Sequence, residues 1–420
     1  MSVVKVDRAT GSLVVDGRKV FPLVLSDGPP LGAKAPNGND ALAELAAGGV
    51  SFVRTGRLDW RTESLEHQIA VERDRLDAAA AHGLYCWPSL GPAGNLAGRT
   101  LSAKEQLLTS VVGELKDHSA LGAWRGVGEP ANPARATRIP AAGLVRAYEV
   151  LKALDPGHPL VIIQAPRGKL ADLTPYRPAF DITGADIFPV SYPPGKHAGS
   201  QRRGVGVVGE ITRKMVAAAG RKPVWMTLQI AWSGVIPAKG HPNNVPRFPT
   251  LREERFMAYQ AIVHGARGLV FFGGHLTEIA PPADAQAGWN WTFWEHVLKP
   301  LLAELTSPEL APALTAPPAR NAVKATAADV EVATREAAGF LYVIAVKRGS
   351  ATSQIGFSGL PSRKNGRPIA GGRVLFEYVQ EPLAPPIRLD HQTFRPIQVT
   401  NGRFRDWLGP NDARVYRFRL

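Results

Sequence analysis

Eight short apolar segments recur along the first two thirds of the chain, and this repetition constrains the fold more than any other feature. The segments are almost continuously apolar, which is typical of parallel strands covered on both faces. Stretches with helical periodicity lie between most of them, including 40–48, 65–82 and 102–117. The eight segments are Phe21–Leu25, Val50–Arg54, Leu84–Pro88, Leu121–Trp124, Leu160–Ile163, Asp186–Val190, Pro223–Leu228 and Gly268–Phe272.

Strands that alternate with helices predict an α/β fold, and eight such repeats predict a (β/α)8 TIM barrel. Of the 420 residues 45% are hydrophobic and 20% charged, so a large core can form. We assign residues 20–306 to the barrel. A doubly wound open sheet is the alternative, but no glycine-rich phosphate loop follows the first strand, which favours the barrel.

The two flanks of the barrel have a different pattern. Residues 1–19 predict an N-terminal β-hairpin, with Asp16 and Gly17 as a turn. The proline-rich stretch 307–319 predicts a linker. Beyond it, apolar and polar residues alternate with period two, so residues 320–420 predict an antiparallel β-sandwich.

The formal net charge of +14 raises nucleic-acid binding as one hypothesis. However, the basic residues are scattered, no nucleic-acid motif is present, and aromatic residues do not interleave with basic ones as a stacking platform requires. We therefore expect no nucleic-acid partner. The charge indicates a basic surface that aids solubility or favours an anionic substrate.

Several other classes of protein are not expected. No apolar run is long enough to span a bilayer, so no membrane partner is predicted. Cys86 is the single cysteine, which rules out an intrachain disulfide and a cysteine-based zinc site. We expect neither a metal nor a cofactor. The first residues lack a signal-peptide pattern, which predicts a cytoplasmic protein from this sequence, or a secreted one if a leader had been removed.

Glu129 is the strongest candidate for a catalytic residue. In a barrel of this type the active site lies at the carboxyl ends of the strands, and Glu129 follows the fourth apolar segment. Pro130 comes next and predicts an extended backbone at Glu129. A carboxylate in this position is rigidly aimed.

The residues around Glu129 resemble a known family. Gly128-Glu129-Pro130 is similar to the Asn-Glu-Pro or Asp-Glu-Pro that ends the fourth strand in the large clan of (β/α)8 glycoside hydrolases, which includes β-galactosidases, cellulases and mannanases. The segments 118–124, 154–159, 185–193 and 222–225 resemble the clan in the same order. The resemblance implies hydrolysis of a glycosidic bond in an oligosaccharide, polysaccharide or glycoconjugate. It also implies that Glu129 is the general acid/base and that the partner is a carbohydrate.

Two residues depart from the pattern of the clan. Gly128 stands where the clan has an Asn that binds the sugar 2-hydroxyl. Gln229 stands at the end of the seventh strand, where the clan has its nucleophilic Glu. An amide cannot act as that nucleophile, so the chain either uses another carboxylate, inverts with Gln229 positioning water, or is a non-catalytic carbohydrate-binding barrel.

Four acids at strand ends are alternatives for the second carboxylate. Glu278 and Asp59 are predicted as catalytic, and Asp27 as a further candidate or a substrate contact. Asp186, if it points inward from the sixth strand, is the fourth candidate, although a buried hydrogen-bonding role is favoured for it.

The remaining predicted site residues are substrate contacts. Arg54 is expected to orient Glu129 or to grip an anionic group. Apolar sugar faces stack on aromatic rings, and His275 could hydrogen-bond a hydroxyl. The predicted contacts besides Asp27 and Arg54 are Trp87, Tyr192, Gln229, Trp232 and His275. The C-terminal domain is expected to brace the barrel, since its sequence shows no distinct aromatic platform.

Overall fold

The computed structural model describes residues 2–56, 59–97, 101–133, 138–190, 204–230, 247–273, 282–361, 363–364, 367–376 and 394–420. The chain begins with an antiparallel sheet of β1 (Val4–Val6), β2 (Leu13–Val15) and β3 (Arg18–Val20). Asp16 and Gly17 both have positive φ, 48° and 83°, as a two-residue turn between β2 and β3 requires. The apolar face of this sheet packs against the interior of the next domain.

The predicted (β/α)8 barrel is confirmed. Within the described ranges eight parallel strands follow one another around a curved sheet, and the last strand pairs with the first. They are β4 (Leu23–Leu25), β5 (Phe52–Val53), β6 (Tyr85–Cys86), β7 (Trp124–Arg125), β8 (Leu160–Gln164), β9 (Ile182–Ile187), β10 (Trp225–Gln229) and β11 (Gly268–Phe272). The sixth strand begins at Ile182, four positions before the apolar segment that predicted it.

Backbone hydrogen bonds close the barrel between β6 and β7. Arg125 N donates to Pro88 O at 2.9 Å, and Leu90 N donates to Arg125 O at 2.8 Å. An isolated parallel bridge joins Ser89 to Arg125. These bonds follow the strand ends, so the ladder continues into the segment that leads to the predicted catalytic residue.

Helices pack around the outside of the barrel and between it and the C-terminal domain. Asp40 caps the first of them by accepting hydrogen bonds from Leu42 N and Ala43 N. The helices are α1 (Ala41–Ala47), α2 (Leu65–Ala80), α3 (Leu101–Leu115), α4 (Ala141–Leu154), α5 (Leu170–Leu173), α6 (Val207–Ala219), α7 (Leu251–Val263), α8 (Pro282–Ala287), α9 (Trp291–Phe293), α10 (Lys299–Thr306) and α11 (Ala311–Thr315). Short 3-10 turns occupy 62–64, 91–94 and 174–179, and a π turn occupies 294–298.

The barrel strands bury two separate apolar layers. Side chains alternate along a strand, so residues two apart share a face. Inward residues such as Val24, Phe52, Trp87, Trp225 and Val270 form one cluster. Outward residues of the same strands pack beneath the helices in a second, larger cluster. This alternation decides which residues near the strand ends point into the mouth.

A buried polar network lies below the fourth and fifth strands. Asp155 accepts hydrogen bonds from Trp124 Nε1 at 2.7 Å and from the backbone of Gly157 at 3.0 Å. Its carboxylate is also 2.8 Å from His158 Nδ1, and His158 Nε2 is 3.2 Å from Ser2 Oγ. The Asp155-Pro156-Gly157-His158 motif therefore has a structural role. It forms a buried hydrogen-bond network at the opposite end of the strands from the mouth.

The C-terminal residues form the predicted antiparallel β-sandwich. A three-stranded sheet contains β12 (Lys324–Ala325), β15 (Ser353–Ser358) and β20 (Arg403–Leu408). The facing sheet, in spatial order, contains β13 (Val330–Ala337), β14 (Phe340–Lys347), β21 (Ala413–Arg419), β18 (Gly371–Leu375) and β19 (Arg395–Gln398). A small ribbon is made by β16 (Arg363–Lys364) and β17 (Arg367–Pro368). Stacked Phe357 and Phe404 rings, 4.6 Å apart, lie in the shared core.

The sandwich packs against the barrel through α7. Tyr342, Ile344 and Val415 belong to the same apolar cluster as the barrel helices. None of the helices in the described part of the chain is long and apolar enough to cross a membrane.

Candidate active site

The carboxyl ends of the barrel strands bring together the predicted residues Glu129, Asp27 and Arg54 with Asp186 and with Arg125, which the sequence did not single out. Arg125 and Asp186 occupy inward-facing positions on β7 and β9, and the ends of β4, β5 and β7 are followed by Asp27, Arg54 and Glu129. The charges of Arg54, Asp27, Glu129 and Asp186 all act on Arg125. Glu129 is therefore part of a compact group of opposite charges.

Glu129 is aimed by an irregularity in the backbone. Gly126 N donates to Val161 O at 2.9 Å, and the next bond to β8 comes from Glu129 N, which donates to Ile163 O at 2.7 Å. Between these two hydrogen bonds the chain advances by three residues, from Gly126 to Glu129, while β8 advances by two, from Val161 to Ile163. One extra residue on one side of the ladder is a β-bulge. Bulges are common beside active sites, where they redirect a side chain.

The predicted extended backbone at Glu129 is wrong. Glu129 has φ of 49°, in the left-handed region that non-glycine residues rarely adopt. Pro130 does disfavour the right-handed helical region for its predecessor, but the bulge selects the left-handed one rather than an extended one. Asn132 supports the result, because its Nδ2 donates to Glu129 Oε2 at 2.9 Å and its backbone N donates to Glu129 O at 3.1 Å.

Gly128 leaves room for the guanidinium of Arg125. A Cβ atom at position 128 would lie 3.1 Å from Arg125 Nη2, closer than ordinary van der Waals contact. The guanidinium carbon also lies 6.0 Å from the centre of the Trp87 ring, within range of a cation–π contact. Burial, and next the charge of Arg54, lower the pKa of Arg125 to about 10. The glycine in place of the clan's asparagine is thus accompanied by an arginine in the same part of the mouth.

Asp186 is a second carboxylate of the mouth, and the charge of Glu129 acts on it. It lies one residue before the end of β9, where the alternation from buried Ile182 turns it inward. Burial, and next the negative charge of Glu129, raise the pKa of Asp186 to about 7. Arg125, Arg54 and the neighbouring Thr227 only partly oppose this rise. Asp186 therefore holds its proton to near neutral pH.

Asp27 and Arg54 form an ion pair beside these acids. Arg54 Nη2 donates to Asp27 Oδ1, and both side chains are largely buried. They line a cavity of about 400 Å³ together with Pro30, Leu42 and Arg75. Trp289 Nε1 donates to Asp27 O at 3.1 Å and so fixes the loop that carries Asp27. Arg54 was predicted to orient Glu129 or to grip an anionic group; in the structure it pairs with Asp27, and its charge also acts on Asp186.

Both ends of the Gln229 amide are occupied by the backbone of Val190. Gln229 Oε1 accepts from Val190 N at 2.8 Å, and Gln229 Nε2 donates to Val190 O at 3.1 Å. The side chain is 1% exposed. Gln229 therefore ties the exit of β9 to β10, which leaves its amide engaged away from solvent.

Two phenylalanines that the sequence did not single out form an aromatic pair at the mouth. The rings of Phe188 and Phe272 stack 5.0 Å apart with an interplanar angle of 24°, and both remain partly exposed. Period two from Asp186 and from Val270 would have marked both as inward-facing. Such a surface suits the apolar face of a sugar ring.

Two predicted site residues are not positioned to contact a substrate beside Glu129. Trp87 is 1% exposed and packs 6.3 Å from Trp225 in the barrel interior, so it forms the floor of the mouth and has no open ring face. The carboxylate of Asp59 is half exposed and pairs with Arg61 at 2.9 Å. Neither arrangement offers the side chain to a substrate beside Glu129. The predicted residues Tyr192, Trp232, His275 and Glu278 lie outside the described residues.

The described residues contain no cluster of three or more His, Cys, Asp or Glu side chains that could hold a metal ion. Cys86 is buried, and burial strongly raises the pKa of its thiol, as expected for a core residue.

The chain has the fold of a TIM-barrel glycoside hydrolase. It is similar over 99% of its length to 96% of a solved structure named glycoside hydrolase, with 13% identity and a TM-score of 0.60. It is also similar to a family 5 glycoside hydrolase from Bacteroides vulgatus, with 12% identity, a TM-score of 0.58 and coverage of 99% and 93% of the two chains. A GH30 endoxylanase from Clostridium papyrosolvens matches over the full length of both chains with 13% identity and a TM-score of 0.51.

These likenesses are in structure rather than in sequence. No protein-family model matches the chain, and a comparison with curated proteins found no match.

Proposed function

We propose that this protein is a glycoside hydrolase whose catalytic pair is Glu129 and Asp186. The observation that carries the proposal is the electrostatic coupling of two carboxyl groups in the mouth of a glycosidase-type barrel. Glycosidases need one protonated and one ionised carboxyl group on either side of the scissile bond. A carboxyl group whose environment raises its pKa toward neutrality, beside a second carboxyl group, is a usual sign of the acid in such a pair.

The proton of the pair resides on Asp186. Burial and the charge of Glu129 keep the pKa of Asp186 near 7, so Asp186 is the proton donor to the leaving oxygen. Glu129 is the partner, acting as nucleophile or as base toward water. This exchanges the role that the resemblance implied for Glu129, because Gln229 leaves no carboxylate on the seventh strand.

The other groups of the mouth support binding. The Phe188 and Phe272 rings offer a partly exposed apolar surface for a sugar. Arg125 compensates the negative charge that remains when Glu129 is ionised. The Asp27–Arg54 ion pair adds a further polar surface beside the two acids.

Isosteric substitutions test the pair. Glu129→Gln and Asp186→Asn should each lower kcat/KM on a glycoside with a poor, unactivated leaving group by about a thousandfold or more, since each removes a group essential to the acid–base cycle. Activity of the parent protein should fall as pH rises through about 7, because Asp186 then loses its proton. Asp59→Asn, which changes an exposed carboxylate, is the matched control and should leave turnover unchanged.

A non-catalytic carbohydrate-binding barrel is the second hypothesis, because Gln229 replaces the usual nucleophile and is engaged with Val190. The two hypotheses differ in one measurement. Hydrolysis that is lost in both carboxylate variants supports the enzyme, whereas sugar binding without any hydrolysis supports the binding protein. Full turnover in Asp186→Asn would remove Asp186 from the mechanism.

A further inference from the structure

The C-terminal sandwich has one exposed face that the catalytic proposal does not use. It is the outer face of the three-stranded sheet, and we call it the basic face. Its outward positions carry Lys324, Gln354, Arg403, Arg405 and Trp407. Trp407 is 59% exposed, which makes it the most exposed of the large hydrophobic side chains recorded in the described part of the chain.

Register places these side chains in rows across the sheet. Lys324 pairs with Ser358, which pairs with Arg403, so Lys324 and Arg403 occupy one row. Gln354 pairs with Trp407 in another row, and Arg405 lies between the two rows opposite Gly356. Successive outward residues on one strand lie about 7 Å apart. The face therefore presents two arginines, a lysine and a tryptophan on one side of the sheet.

No acid balances this charge on the three strands. Asp406 is their single carboxylate, and it points inward, where it is bound by Arg395 at 2.7 Å and by Tyr416 Oη at 3.0 Å. The side chains of Arg403 and Arg405 make no ion pair with a described residue. A groove of about 1130 Å³ runs along Arg403 and Arg405 between β20 and β19. The two arginines of the basic face thus border an open depression.

We propose that the basic face binds a carboxylate-bearing polysaccharide, with Trp407 stacking on a sugar ring and Arg403 and Arg405 gripping uronate groups. The planar guanidinium matches a carboxylate with two parallel hydrogen bonds. A single exposed aromatic beside spaced cations suits a chain of charged sugars, whereas single-stranded nucleic acid is bound by several aromatics that stack successive bases. The site is separate from the barrel mouth and does not depend on the proposed hydrolysis.

Charge and aromatic variants of the full chain test the face by affinity electrophoresis in gels that contain polygalacturonate or a neutral polysaccharide. The parent protein should be retarded by polygalacturonate alone, and less so as salt is added. Arg403→Gln with Arg405→Gln should weaken binding roughly tenfold, the loss expected from two partly exposed charge pairs. Trp407→Ala should weaken binding at unchanged net charge, which separates stacking from bulk attraction.

The control removes the same charge elsewhere. Arg320→Gln with Arg373→Gln changes two exposed residues outside the basic face and should leave binding as it is. Equal weakening by this control, or no retardation of the parent protein, overturns the proposal. Stronger binding to a polynucleotide that is also lost in the Arg403/Arg405 variant would reassign the face to nucleic acid. Thermal unfolding of each variant verifies folding, and Asp186→Asn should bind polygalacturonate like the parent.

Discussion

The amide of Gln229 matches its backbone partner in a way that a carboxylate cannot. Val190 presents one N–H donor and one carbonyl acceptor, and Gln229 supplies the complementary acceptor and donor. An ionised Glu has acceptors only. The residue that departs most clearly from the glycosidase pattern therefore has a structural task, which is to hold the end of β9, and hence Asp186, against β10.

Gln229→Glu should not create a nucleophile. The buried carboxylate would face Val190 O without a donor, so we expect a loss of about 1–3 kcal/mol in the free energy of unfolding. Chemical denaturation measures that loss, and an aryl glycoside assay measures turnover. A gain of turnover that is lost again on adding Glu129→Gln would instead mean that position 229 reaches the substrate.

Local sequence was sufficient to select Glu129 but not its partner. The Glu129-Pro130 pair after an apolar segment is a contiguous signal. Asp186 became the second carboxylate of the proposed pair only because the barrel brings β9 and β7 to the same mouth, where Glu129 and Asp186 influence each other. Phe188 and Phe272 come together for the same reason.

At the level of single elements, α7 contains two adjacent acids, Glu253 and Glu254, whose surroundings shift their pKa values in opposite directions. Glu253 accepts hydrogen bonds from Arg247 at 2.7 Å and from Thr250 N at 2.9 Å. Burial opposes its ionisation, but Arg247 and Thr250 outweigh burial and lower the pKa of Glu253. Glu254 is fully buried and neither carboxyl oxygen has a hydrogen-bond partner among the described residues. Burial, followed by the charge of Glu253, raises the pKa of Glu254 well above its usual range.

Glu254→Gln should stabilise the protein at neutral pH. A raised pKa means that the folded state holds a proton that the unfolded state releases, so stability falls as pH rises above about 4.3, the ordinary pKa of Glu. The neutral amide removes this penalty. Thermal unfolding should show a gain of about 2 °C or more at pH near 8 and little change at pH near 4.

Glu253→Gln is the matched control one residue earlier. Because the pKa of Glu253 is lowered, its contribution to stability is present at neutral pH and is lost on acidification. Its substitution should therefore destabilise the protein at neutral pH. Equal effects of the two variants at every pH would contradict the assignment of opposite environments.

At the scale of the whole molecule, α7 joins the barrel to the sandwich. Arg255 donates to Glu304 through Nε at 2.8 Å and Nη2 at 2.7 Å, and Nη1 donates to Ala413 O on β21. Tyr259 Oη donates to the same carboxylate at 2.6 Å. Arg255 and Glu304 are 5% and 0% exposed, so the ion pair lies inside the contact between the two domains.

Removal of Arg255 should weaken this contact. Arg255→Met leaves the buried Glu304 carboxylate without its cation, which costs about 3–5 kcal/mol in comparable buried pairs. We expect calorimetry to show a lower unfolding temperature and a separate transition of the sandwich. Arg252→Met, which breaks a more exposed pair with Asp412, should cost about 1 kcal/mol or less. A single unchanged transition in Arg255→Met would show that apolar packing alone couples the domains.

The sequence by itself determined the alternation of apolar segments and helices, the α/β barrel, the sandwich and the position of Glu129. These properties are readable because each is carried by residues near one another in the chain, where periodicity and turn chemistry act. Only the tertiary structure decided that β8 and the bulge redirect Glu129, that Asp186 keeps its proton, and that Gln229 holds Val190. Those outcomes depend on burial and charge from distant segments, and neither exists until the barrel has closed.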